Sequence, residues 1–85
     1  MIRMSQKGAF TAADVQRLVR TRPFVPFRIH MSDGSMFTVP HTEFALVTHR
    51  RVVVAVPSEK DGMAQDMHIC AILHITRLEE LADAG

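Results

Sequence analysis

From Val15 the apolar positions fall at i, i+3 and i+4 (Val15, Leu18, Val19), the spacing of one helix face. From Phe27 they fall on every second residue (Phe27, Ile29, Met31), the spacing of a half-buried strand. The helical stretch carries its own boundary signals. Thr11 suits the N-cap, and Asp14 three residues later makes an acidic variant of the capping box. Phe10 and Val15 stand at the N′ and N4 positions of a hydrophobic staple. Pro23 disfavours the α conformation at Arg22, which predicts a helix end near Thr21. So short a helix needs tertiary support, and Phe24 and Phe27, on a link stiffened by Pro23 and Pro26, are expected to anchor it on a sheet.

The first turn of the β-rich part can be tested by register. A two-residue Asp33-Gly34 loop pairs Ile29 with Thr38 and mixes polar with apolar faces. A three-residue loop with Gly34 in a G1 bulge pairs Ile29 with Phe37 and Phe27 with Val39, keeping each face uniform. The second register is preferred, which predicts a strand over 35–39. Pro40 then marks an edge or a bend. Strand segments follow at 44–48 and 52–56, with His49-Arg50-Arg51 as a polar turn between them. The run Val52-Val53-Val54-Ala55-Val56 asks for burial on both faces. Residues 58–66 read as an exposed loop, 68–71 as a strand, 72–75 as a bend or 3₁₀ turn, and 76–81 as a last strand. The fold class is mostly β with an N-terminal helix: a small, strongly bent five-stranded antiparallel barrel, closed to remove its edges. A single domain is expected over 11–81, with a flexible N-terminal tail at 1–10 and a C-terminal tail at 82–85.

The chain has 85 residues, and a domain of that size buries only about 60–65% of its unfolded surface. Such domains usually need a staple. Cys70 is the only cysteine, so no disulfide forms within one chain, and five scattered histidines offer no zinc spacing. Self-association is the remaining staple, and a homo-oligomer is the expected partner state. Cysteine usage points to a reducing, cytoplasmic compartment. No stretch approaches the length of a membrane span, and residues 1–8 lack the apolar core of a signal peptide. A formal net charge of +1 does not announce nucleic-acid binding by bulk charge.

Candidate chemistry is sparse. Arg17, Arg20, Arg22, Arg28, Arg50 and Arg51 form either a phosphate-tracking surface or an ordinary solvated face. Phe44 is either a base-stacking ring or core. Cys70 reads as a buried small hydrophobe, although His68 on the same strand face keeps a thiol hydrolase as an alternative. No cofactor or metal is expected, and no converging set of polar groups marks an enzyme.

The order of these segments resembles the Sm-like fold, in particular the Hfq family of bacterial Sm-like RNA chaperones. The residues that carry the resemblance, over about 11–81, are the helix, Val25-Pro26-Phe27-Arg28-Ile29, the Asp33-Gly34 turn, Phe44-Ala45-Leu46-Val47, and the closing stretch from Met67 to Leu78. The pattern Arg-Pro-Phe-x-Pro-Phe-Arg-Ile-His at 22–30, followed by Ser32-Asp33-Gly34, also resembles small uncharacterised bacterial proteins. The first resemblance implies a ring-forming module that binds RNA through Arg17, Arg20, Arg22, Phe44 and His74. It further implies that edge strands meet in the ring, with His68, Ile69, Cys70 and Ala71 of one subunit against Thr76 and Leu78 of the next. Two features depart from the family: Val39-Pro40 stands where the bent second strand has a glycine, and Leu73-His74 where the uridine pocket has Lys-His. A protein-interaction or structural module of the same fold, without nucleic-acid binding, is the competing reading.

Overall fold

The computed structural model describes residues 10–58, 60–61 and 63–81. Apart from Phe10, the tails expected at 1–10 and 82–85 lie outside the described residues. Helix α1 (Ala12–Arg20) starts as its sequence predicts: the Thr11 side chain accepts from the Asp14 amide, and the Asp14 carboxylate accepts from the Thr11 amide. It ends at Thr21, whose amide still reaches the Leu18 carbonyl. Val15 and Val19 are buried, and Phe10 and Leu18 pack against the same core.

Six strands follow: β1 (Phe27–Met31), β2 (Met36–Val39), β3 (Ala45–Val47), β4 (Arg51–Pro57), β5 (Ala64–Ala71) and β6 (Ile75–Glu80). They form two antiparallel sheets of three, in the orders β2-β1-β6 and β3-β4-β5. The β1–β2 hairpin has the expected register, Ile29 opposite Phe37 and Phe27 opposite Val39, with Gly34 at φ +91° in the loop. That φ strains any side chain, which is why glycine sits there.

Three expectations are corrected. The barrel is neither five-stranded nor closed: no ladder joins the two sheets among the described residues. Pro40 and a 3₁₀ turn at Thr42–Phe44 separate β2 from β3, which fall in different sheets, and the expected 3₁₀ turn, at Ile72–His74, separates β5 from β6. The loop at 58–66 is shorter than expected, because Val56 pairs with Asp66 and Pro57 with Ala64, which zips the hairpin beyond the core. Pro57 is tolerated since it ends the strand at a register shift. Lastly, the valine run is buried on one face only. Val52 and Val54 are inside, while Val53 is half-buried on the outer face beside Leu46 and Ile69.

The core lies between the sheets, with Phe27, Ile29 and Val39 from one, Val52, Val54 and Cys70 from the other, and Ile72 and Ile75 at the corner. On the solvent side of β1 and β6, Glu79 ties the strands together. It accepts from His30 Nε2 at 2.9 Å and faces Arg28 and Arg77 at 3.8 and 3.7 Å. The His30 hydrogen bond, supported by Arg77 and Arg28, holds its carboxyl below the ordinary value of 4.5, although partial desolvation works the other way. A carboxylate lowered in the folded state stabilises above its unfolded pKa and loses that contribution as pH falls through its folded value. Glu79→Gln is therefore expected to flatten the loss of stability below about pH 4.5, read as urea midpoints across an acid series. An acid limb identical to the native one contradicts this role.

Candidate nucleic-acid interface

The β3–β4 turn is a tight hairpin in which the Thr48 amide donates to the Arg51 carbonyl and the Arg51 amide to Thr48 Oγ1. It exposes His49, Arg50 and Arg51 in succession, with no ion pair to any of them among the described residues. The Ile72 amide donates to the Arg50 carbonyl at 2.9 Å, fastening this turn to the Ile72–His74 turn. Between them lies an open cavity of about 550 Å³ lined by His49, Arg50, Arg51, Leu73 and, from the helix approach, Phe10. Leu73 is 86% exposed. Unpaired guanidinium groups beside an exposed apolar surface suit a ligand that combines phosphate with a planar or apolar part.

The residues expected to bind RNA are not gathered in one place. Arg17 is engaged by Asp14 at 3.1 Å. Arg22 Nη1 donates to the carbonyls of Val19 and Thr21, which makes this side chain a cap for the C-terminal end of α1. Arg20 is exposed, and its Nε and Nη2 donate to the Gln16 side-chain oxygen at 3.2 Å one turn back along the helix. Phe44, in the Thr42–Phe44 turn, is half-buried, sits 6.0 Å from the His41 ring and is not among the side chains packed on the core. The Thr42 hydroxyl donates to the Val19 carbonyl, so Phe44 belongs to the helix end of the molecule. His74 instead belongs to the β1–β2 turn: its carbonyl accepts from the Ser32 amide at 2.8 Å. The join between the Arg50 turn and Ile72 has no local sequence signal, because it arises from the β4–β5 register.

The edge residues divide in two. The Ile72-to-Arg50 bond makes Arg51–Ala71 a non-hydrogen-bonded pair, so by alternation Cys70 and His68 bond to β4. Met67, Ile69 and Ala71 then turn their backbone groups to the open side of β5. On β6, the Leu81 amide donates to the Pro26 carbonyl, which makes Arg28–Glu79 and His30–Arg77 the bonded pairs and points Leu78 and Glu80 outward. His68 and Cys70 face the interior: the His68 ring lies 4.7 Å from that of Phe37, and Cys70 is 2% exposed. The Thr76 hydroxyl donates to the His30 carbonyl.

Burial pushes the Cys70 thiol up, with Asp33 adding to the effect, the opposite of what a nucleophile needs. Among the described residues no group of three or more His, Cys, Asp and Glu is arranged to hold a metal, and no helix is long and apolar enough to cross a membrane. Comparison with models of protein families, with curated proteins and with solved structures finds no match to this chain. Cys70 is expected to react with a disulfide reagent only when the protein unfolds. Native-state modification at the rate seen in urea would restore the thiol-hydrolase alternative.

Proposed function

We propose that this chain is a non-enzymatic binding and assembly module of the Sm-like kind. Copies join edge to edge, β5 of one to β6 of the next, and the assembly binds RNA at the basic end formed by His49, Arg50 and Arg51. The observation that carries the reading is the pair of unprotected edges. Strand β5 offers the backbone of Ile69 and Ala71 along an edge that contains no lysine and no proline, while the Met67 amide is taken by Asp66 Oδ1 at 2.8 Å. Natural edge strands are usually blunted by such residues, because an open edge recruits another strand. Strand β6 offers Leu78 and Glu80. Two different edges make a heterologous contact, and one that closes gives a ring.

The strand order supports the Sm-like part of the reading. Counting β2 and β3 as two arms of one bent strand leaves five, with the bend at Pro40 and the 3₁₀ turn before the last strand. Small size points the same way, since pairing satisfies both edges and enlarges a modest core.

A second reading rests on a specific observation. Leu46, Val53 and Ile69 lie side by side across β3, β4 and β5 on the outer face, with Leu46 64% and Ile69 62% exposed. An apolar strip of this kind fits a protein partner better than RNA. Assembly is common to both readings, so it is the first thing to measure.

Ile69→Pro removes one amide from the open side of β5 and none from its ladder with β4. Light scattering should therefore show an oligomer for the native chain and a folded, smaller species for the variant. A native chain that stays monomeric at all concentrations sinks the assembly reading.

A further inference from the structure

We infer that the free edge of β2 and the cleft beside it form a docking site for an extended segment of another protein. The segment adds to the β2-β1-β6 sheet as a fourth strand and directs an uncharged apolar side chain inward. Hydrogen-bond alternation identifies the edge. The Met31 amide donates to the Ser35 carbonyl at 2.8 Å, which makes Met31 and Ser35 a bonded pair. By register Ile29–Phe37 and Phe27–Val39 are then bonded too, while Met36 and Thr38 turn their amides and carbonyls away from β1. Strand β2 ends its sheet, and among the described residues nothing pairs with these four groups. The strand carries neither lysine nor proline, the residues that usually blunt an open edge.

A cleft next to the edge is the second observation. It encloses about 420 Å³, with Met36, Phe37 and Thr38 on the β2 side and Val54, Val56 and His68 on the side of β4 and β5. Val52, Val54 and Val56 point inward in alternation, yet Val56 is half-buried and does not pack against the core. Phe37 is half-buried as well. The inward face of β4 thus continues past the cover that the other sheet gives it. A strand laid about 4.8 Å from β2 supplies that cover and gives the four open backbone groups their partners.

The chemistry of the cleft selects the segment. His68 is the only titratable side chain on its walls, so a charged group entering it would lose water without gaining an ion pair. An added strand sends every second side chain inward, which calls for an apolar residue there and leaves its other face unconstrained. Pro40, next in the alternation, has no amide. Backbone bonds therefore come from two residues, and the inserted side chain has to supply the selectivity. The edges assigned to assembly, on β5 and β6, are not used.

The probe is a capped nine-residue peptide of alternating valine and threonine, with phenylalanine replacing the central valine, titrated into the full chain. Amide NMR is expected to show binding, with exchange slowed at Met36 and Thr38. Two N-methylated versions, one at the threonines and one at the apolar residues, should differ, because only one set of amides can face β2. One version should bind like the parent and the other should lose affinity. Thr38→Pro removes an amide that bonds nothing within the chain and should weaken the parent peptide about tenfold. Aspartate in place of the central phenylalanine should abolish binding. No binding up to about 1 mM peptide overturns the site. So does equal binding of both N-methylated versions to the native chain, a result that poor folding of a variant cannot mimic. Protection of the Thr38 amide in the peptide-free chain, lost on dilution, assigns the edge to a second copy and overturns the proposal.

Discussion

Among the described residues no backbone ladder joins the two sheets, so the fold depends on one small set of side chains packed between them. Phe27, Ile29 and Val39 face Val52, Val54 and Cys70, with Val15 and Val19 of the helix and Ile72 and Ile75 at the corner completing the core. Covalent continuity through the Thr42–Phe44 and Ile72–His74 turns keeps the sheets in register at two corners. The rest is side-chain contact, apolar in the core and including the His68 ring against Phe37. Removing one buried aromatic ring costs about 3–5 kcal/mol, a large share of the 5–15 kcal/mol typical of a whole domain. A core with so little redundancy leaves the domain sensitive to the loss of any one of these side chains.

The same pleat decides which backbone groups are left open at the sheet edges. Along β5 the residues whose side chains face inward, Cys70 in the core and His68 against Phe37, also spend their backbone bonds on β4. Their neighbours Met67 and Ile69 keep both side chain and backbone toward the outside. One alternation therefore builds the interior and leaves the edge open. On β6 the bonded residues Arg77 and Glu79 turn charged side chains to solvent, while Leu78, half-buried, holds its backbone toward the free side. Open backbone and charge thus occupy different aspects of one strand, its edge and its face.

Much of the fold was legible locally. The Thr11–Asp14 box and the Pro23 stop define the helix because capping and proline sterics act within a few residues. The β1–β2 register followed from keeping Ile29 and Phe37 on one face around Gly34. The division at Pro40 was visible as a bend but not as a break between sheets, since that depends on whether backbone pairing continues past it. The length of the β4–β5 hairpin escaped detection because 64–67 carry no apolar pattern: they are held by hydrogen bonds to β4, not by burial. The candidate site was least legible. The helix arginines looked like a surface cluster, yet Arg17 and Arg22 are taken by Asp14 and the helix-end carbonyls. The basic turn meets Ile72, and Glu79 meets His30, only through sheet register across long stretches of chain.

Amide hydrogen exchange at Ile69 and Leu78 tests assembly through the two open edges most directly. Within one chain neither amide has a ladder partner, so slow exchange at either position has to come from another copy. Protection at both, lost together on dilution as the assembly dissociates, is the predicted result. Exchange at the rate of an exposed amide at every concentration would contradict it.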